Sequence, residues 1–146
     1  MSNAMEAFFP LHPRFVHFPI ALSLVGAATI AFGLLRRQER WLSYGRISLL
    51  LGWLGVLAAV VTGLVDQSRA PQTAAVTGVI NQHISAGLAL LVIFGLALYW
   101  PLRDKKLFAG RISWPYLGLL LVGVLLVFLE GWLGGRLVYH LGVGVK

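Results

Sequence analysis

The chain has 146 residues without cysteine, 58% of them hydrophobic and 12% charged, with a formal net charge of +7 and a mean hydropathy of +0.82. This composition excludes a disordered tail, a collagen-like fibre and a disulfide-stapled secreted domain, and it predicts a small integral membrane protein. The absence of cysteine also excludes thiolate zinc sites, iron–sulfur clusters and attachment of c-type haem. The positive charge arises because five acidic residues oppose twelve lysines and arginines. Since those basic residues fall at membrane borders, no nucleic-acid partner is expected.

The first four residues, Met1–Ala4, precede a second methionine, Met5, and are typical of the remnant of a purification tag. The remaining residues, 5–146, have room for one domain. We therefore expect a single four-helix transmembrane domain from Met5 onwards.

Four stretches without charged residues follow one another along the chain. A helix needs about 20 apolar residues to cross a hydrocarbon core of about 30 Å, and each stretch is long enough. The predicted spans are residues 15–35, 47–65, 79–102 and 112–133, the last of which continues beyond the uncharged stretch 112–129 and includes Glu130. Because the connections are short, consecutive helices are expected to be antiparallel neighbours. The sequence thus predicts an all-α, up-down-up-down transmembrane bundle, in which glycine and alanine allow the helices to approach closely.

The orientation in the membrane is predicted from the basic residues of the loops. Eight lie in the two loops that join span one to span two and span three to span four: Arg36, Arg37, Arg40, Arg46, Arg103, Lys105, Lys106 and Arg111. Four lie on the opposite side: Arg14, Arg69, Arg136 and Lys146. The positive-inside rule places the two basic loops in the cytoplasm and both termini in the periplasm of a bacterial inner membrane.

All four histidines are predicted to lie on the periplasmic side, although they are far apart in the sequence. They are His12, His17, His83 and His140. Asp66 and Glu130 fall at the same end of the bundle. An ionisable group near the apolar core is costly unless it faces the bundle interior and finds a partner. We therefore predict a site formed by these six residues.

Haem b is the first cofactor that this pattern predicts. Two imidazoles at matching depth on different helices can bind haem iron axially. His17 and His83 have matching depth, and His12 with His140 forms a second, shallower pair. Arg14 and Arg136 are candidates to pair with the propionates. Such a protein would transfer electrons between a quinol, or a redox partner protein, and the periplasmic side.

Two alternatives remain open from the residues alone. Three or four of the histidines, with Asp66 or Glu130, could instead bind a copper, zinc or iron ion without haem. Alternatively, the polar groups only tie the helices together, as ion pairs such as Asp66–Arg69 or Glu130–Arg136.

No HExxH, nucleophile-elbow or phosphate-loop motif is present in the sequence, so no catalytic residue and no enzymatic activity are predicted. Assembly into a homo-oligomer also remains open.

Three sequence elements resemble a bacterial membrane family known as domain of unknown function 2231. They are LHPRFVHFPIAL at residues 11–22, TGLVD at residues 62–66 and GWLGGRLVYHLGVGV at residues 131–145, together with a histidine early in the third span. One departure is Leu141, which stands where the family has glycine directly after the histidine. The resemblance covers nearly the whole chain from Leu11. It implies a four-helix plan similar to that of small membrane b-type cytochromes, an analogy at the level of fold only.

Overall fold

The computed structural model describes residue 12 and residues 16–68, 70–108 and 112–144. The predicted tag remnant and Arg14 lie outside these residues, as do Arg69, Arg111 and Lys146. The described part contains four long helices: α1 (His17–Arg36), α2 (Glu39–Gln67), α3 (Ala74–Arg103) and α4 (Trp114–Gly135). A single π-helical turn, Arg136–His140, continues α4. Each of these helices is long and apolar enough to cross a membrane.

The helices form a ring in which each one packs against its neighbours in the chain. The most extensive contact joins α1 to α2, followed by α3 to α4 and α2 to α3, and α1 closes the ring against α4. The described residues contain helix and no strand. The predicted all-α four-helix transmembrane bundle is therefore confirmed.

α2 and α3 extend further than the uncharged stretches predicted, whereas α1 and α4 lie within two residues of their predicted bounds. α2 begins at Glu39 rather than at residue 47, so only Arg37 and Gln38 separate it from α1. Arg37 adopts a left-handed conformation (φ 54°), and the N–H groups of Arg37 and Gln38 bond to the last carbonyls of α1. The 29 residues of α2 span about 43 Å, more than the hydrocarbon core. Charged residues end a hydrophobic stretch but do not end a helix once it has left the core.

α1 and α2 are held together by a seam in which a glycine on one helix faces a larger residue on the other. The opposed pairs, in antiparallel order, are Ser23–Gly52, Gly26–Leu49, Ile30–Gly45 and Gly33–Leu42. A Cβ atom on any of these glycines would lie 2.5–2.8 Å from a backbone nitrogen of the opposite helix. Lipid provides no hydrophobic force between helices, so this close backbone approach is what packs α1 against α2.

Side-chain hydrogen bonds to carbonyls link three neighbouring helix pairs. The Ser48 hydroxyl donates to the Leu22 carbonyl at 2.9 Å, and the Trp53 indole donates to the Leu91 carbonyl at 2.8 Å. The fully buried Tyr116 hydroxyl donates to the Ala97 carbonyl at 2.8 Å. These bonds fix the vertical register of α1 to α4, and thereby the level at which polar side chains from different helices meet.

Candidate functional site

Four of the predicted site residues meet at one end of the bundle. His12 lies just before α1, Asp66 is at the end of α2, His83 is in the first half of α3, and Glu130 is near the end of α4. The backbone N–H of His12 donates to Oδ2 of Asp66 at 3.2 Å. The rings of His12 and His83 lie side by side, and His83 contacts Glu130. The four residues thus form one chain of polar contacts, Asp66–His12–His83–Glu130.

The His12 ring is fixed by the backbone of α2. Its Nδ1 lies 2.7 Å from the Ala59 carbonyl oxygen. A carbonyl can only accept, so Nδ1 carries the proton and the lone pair of the neutral ring is on Nε2. Gly63, one turn further along α2, makes room for this ring, because a Cβ atom there would lie 3.2 Å from Nδ1.

His83 lies against Glu130. Nδ1 of His83 lies 2.7 Å from Oε2 of Glu130, and the two side chains are 18% and 13% exposed. The ring does not direct an N–H along the line to the oxygen. A carboxylate can only accept, so a hydrogen bond from Nδ1 to Glu130 would need a rotation of the ring and would leave the lone pair on Nε2.

The second oxygen of Glu130, Oε1, is buried and has no hydrogen-bond partner among the described residues. Two glycines border the contact between His83 and Glu130. A Cβ atom on Gly87 would lie 3.5 Å from Oε1, and one on Gly134 would lie 3.6 Å from Cε1 of His83. A buried carboxylate oxygen without a partner is costly, and such a group in a native protein calls for an explanation.

The two imidazole rings are in direct contact. Their centres are 5.7 Å apart and their planes are inclined by 88°. With metal–nitrogen bonds of about 2.1 Å, two imidazoles on opposite sides of one ion have ring centres roughly 6.5 Å apart, so these rings would have to separate by roughly 1 Å to hold an ion between them. Among the described residues, no group of three or more His, Cys, Asp or Glu is arranged to hold a metal ion. The described residues thus offer two adjacent imidazoles.

His12 is in the neutral form, which is the protonation state that a metal-binding imidazole needs. Burial lowers the pKa of His12 below its ordinary value, against the opposing effect of the hydrogen bond to the Ala59 carbonyl. The ring is therefore neutral at neutral pH, and the neutral imidazole is the form that binds metals.

The structure does not bring the other two histidines into this chain of contacts. His17 is exposed at the start of α1, and His140 is exposed at the end of the π-helical turn. The ring that faces His83 belongs to His12, which differs from the predicted pairing of His17 with His83. The reason is that the His12 ring lies against Ala59 and Gly63 of α2, whereas counting residues from the membrane border gives no information on contacts with the backbone of another helix.

Of the two arginines that were predicted to pair with the haem propionates, the structure describes one. Arg136 stacks on the Trp132 ring, with its guanidinium carbon 4.9 Å from the ring centre. Arg14 lies outside the described residues. The alternative ion pair of Glu130 with Arg136 is replaced by the contact of Glu130 with His83. Two groups of the site were not predicted from the sequence, the Ala59 carbonyl and Gly134. A backbone carbonyl leaves no signal in a sequence. Gly134 has one, since it belongs to the glycine pair that precedes Arg136.

The comparisons with known proteins place the chain in one family. Residues 8–146 match the family described as "Predicted membrane protein (DUF2231)". No curated protein and no solved structure matches the chain. The match spans nearly the entire sequence, and the protein therefore belongs to this family of membrane proteins of unknown function.

Proposed function

We propose that this protein is a haem-b-binding electron-transfer protein of the bacterial inner membrane, in which His12 and His83 would hold the haem iron. The observation that carries the proposal is the pair of adjacent rings with centres 5.7 Å apart, each of which has its Nδ1 2.7 Å from an oxygen of a neighbouring helix. Ligating histidines generally donate the other ring N–H to a carboxylate or backbone carbonyl, which fixes the tautomer and the ring orientation. Here Ala59 supplies the carbonyl and Glu130 supplies the carboxylate.

The number of ligands favours haem over a bare ion. Haem iron takes four nitrogens from the porphyrin and needs only two from the protein, whereas zinc and copper sites use three or four protein ligands. The described residues provide two facing imidazoles and no larger group arranged for an ion. The haem-free alternative with copper, zinc or iron would need Asp66 and Glu130 to turn from their present contacts towards the ion.

Three glycines border the pair, where a flat macrocycle would need backbone without side chains. Gly63, Gly87 and Gly134 each lie where a Cβ atom would be 3.2–3.6 Å from an atom of the polar cluster. Haem b bound here would carry one electron reversibly. Glu130 would hold the His83 ring and keep its ligating nitrogen basic, while Ala59 would do the same for His12.

The proposed location follows from the charge of the two ends. The site lies opposite the loops that carry Arg36, Arg37, Arg103 and Lys105, and the positive-inside rule assigns those loops to the cytoplasm. Both termini and the histidine pair would then be periplasmic. Electrons would be exchanged there with a quinol or with a redox partner protein.

The test is a haem titration of the purified protein in detergent. Wild type is expected to bind haem with a Soret band shifted from that of free haem, at one haem per chain. His12→Ala and His83→Ala are expected to lose the six-coordinate spectrum, while His17→Ala and His140→Ala, the matched controls, keep it. Equal spectra for all four variants would contradict the assignment. Stoichiometric copper, zinc or iron without a Soret band would favour the haem-free alternative.

A further inference from the structure

A groove between α3 and α4 is lined by residues that neighbour His83 and Glu130 in the sequence. It has a volume of about 550 Å³. Its described lining residues are Asn81, Gln82, Ser85, Ala86, Leu126, Leu129, Trp132 and Leu133. We infer that this groove binds a lipid-soluble quinone, with the quinone ring against the polar side chains of α3 and its apolar body against α4.

The two walls of the groove differ in polarity. Asn81, Gln82 and Ser85 are exposed on the α3 wall, about 10–17 Å along the helix from its first residue. Lipid tails cannot satisfy amide and hydroxyl groups, so an occupant with hydrogen-bonding oxygens is favoured here. The α4 wall is apolar and includes Leu129 and the indole of Trp132, which carries the Arg136 guanidinium on one face and offers a flat ring only the other. The groove thus selects a molecule with polar oxygens on an apolar body.

The charge of the lining distinguishes between amphipathic molecules. The eight described lining residues carry no formal charge, and the guanidinium of Arg136, which borders the lining at Trp132, is stacked on that ring. A phospholipid headgroup bears a phosphate, which is bound by arginine, lysine or clustered N–H donors. A quinone has two neutral carbonyl oxygens that accept hydrogen bonds from amides and hydroxyls. The uncharged polar wall therefore fits a quinone better than a phospholipid.

The groove is adjacent to the proposed cofactor ligands. Gln82 directly precedes His83, and Leu129 directly precedes Glu130. Leu133 precedes Gly134, which borders the His83 ring. The role of the quinone as electron donor or acceptor rests on the proposed function. Its binding to the groove does not require haem.

The experiment is a quinone titration of the haem-free protein in phosphatidylcholine nanodiscs, followed by quenching of tryptophan emission. The probes are decylubiquinone and a short-chain naphthoquinone. We expect saturable quenching in wild type, loss of the saturable component in Trp132→Phe, and about tenfold weaker binding in Gln82→Leu, which removes one hydrogen-bonding group. Gln72→Leu, an exposed glutamine in the connection between α2 and α3, is the matched control and should bind as wild type.

Several results would overturn the inference. Quenching that does not saturate with either probe, or equal affinities in Gln82→Leu and wild type, would exclude the groove as a quinone site. Displacement of the probe by phosphatidylglycerol would assign the groove to an anionic lipid. Because the chain has no cysteine, Ser85→Cys would introduce a single thiol, and rapid disulfide dimers that exclude the probe would assign the groove to a second copy. Since haem is absent from this titration, its outcome is independent of the haem spectrum.

Discussion

The seam between α1 and α2 makes Gly26 one of the least replaceable positions in the bundle. In Gly26→Ala, the new Cβ atom would lie 2.5 Å from the backbone nitrogen of Leu49 and 2.8 Å from its Cα. Ordinary contacts begin at 3.4 Å, so the two helices must separate by about 1 Å. Both clashing atoms belong to the backbone, which cannot move aside as a flexible side chain can.

The packing of the seam indicates how much free energy of unfolding is lost when α1 and α2 move apart. Overpacking of a close-packed interface typically costs about 1–3 kcal/mol, and a gap of about 1 Å weakens the other contacts along the seam as well. Alanine is a better helix former than glycine by about 1 kcal/mol, which offsets part of the loss. We expect a net decrease of about 2 kcal/mol in the free energy of unfolding. For a chain of this size that corresponds to a decrease of about 4–8 °C in Tm.

The matched control for this prediction is Gly118→Ala on α4. A Cβ atom at Gly118 has nothing within 4 Å among the described residues, so only the helix propensity changes, and stability should stay equal or rise by up to about 1 kcal/mol. The assay is unfolding in mixed micelles of dodecyl maltoside and dodecyl sulfate, followed by circular dichroism. If Gly26→Ala is as stable as Gly118→Ala, close backbone approach is not what packs α1 against α2.

Three further variants test single polar groups. Tyr116→Phe removes the hydroxyl that bonds the Ala97 carbonyl and should lower the free energy of unfolding by about 1 kcal/mol in the same assay; no change would show that the bond contributes nothing net. Ser23→Ala removes a fully buried hydroxyl without a partner in the described part of the chain and should be neutral or stabilising by up to about 1–2 kcal/mol, whereas a loss would reveal a hidden partner. Glu130→Gln keeps the shape but removes the charge beside His83, and should weaken haem binding about 10–100-fold in a titration; unchanged affinity would argue against a role for Glu130 in orienting the ring.

The architecture was predictable because the membrane imposes it. Uncharged stretches of sufficient length indicate helices, and short connections make consecutive helices antiparallel neighbours. The helix ends were less predictable, since the first turns of α2 from Glu39 lie beyond the uncharged stretch and are helical all the same. The two-residue turn at Arg37 depends on a left-handed arginine, which composition does not indicate.

The candidate site was predictable as a set of residues at one end but not as a geometry. Depth counting places His83, Asp66 and Glu130 at the same level, and the structure joins them through His12. Depth counting cannot tell which of His12 and His17 faces His83, because the deciding contact is with a backbone carbonyl of α2. The hydrophobic effect places helices in lipid, whereas the position of the His12 ring depends on an individual hydrogen bond.

The most direct test of haem binding is an absorption spectrum of the detergent-purified protein, recorded as isolated and after dithionite, from cells grown with iron and a haem precursor. We expect a Soret band that shifts on reduction and visible bands that sharpen, as is typical of iron bound by two imidazoles, here those of His12 and His83. A flat visible spectrum from such preparations would contradict haem binding.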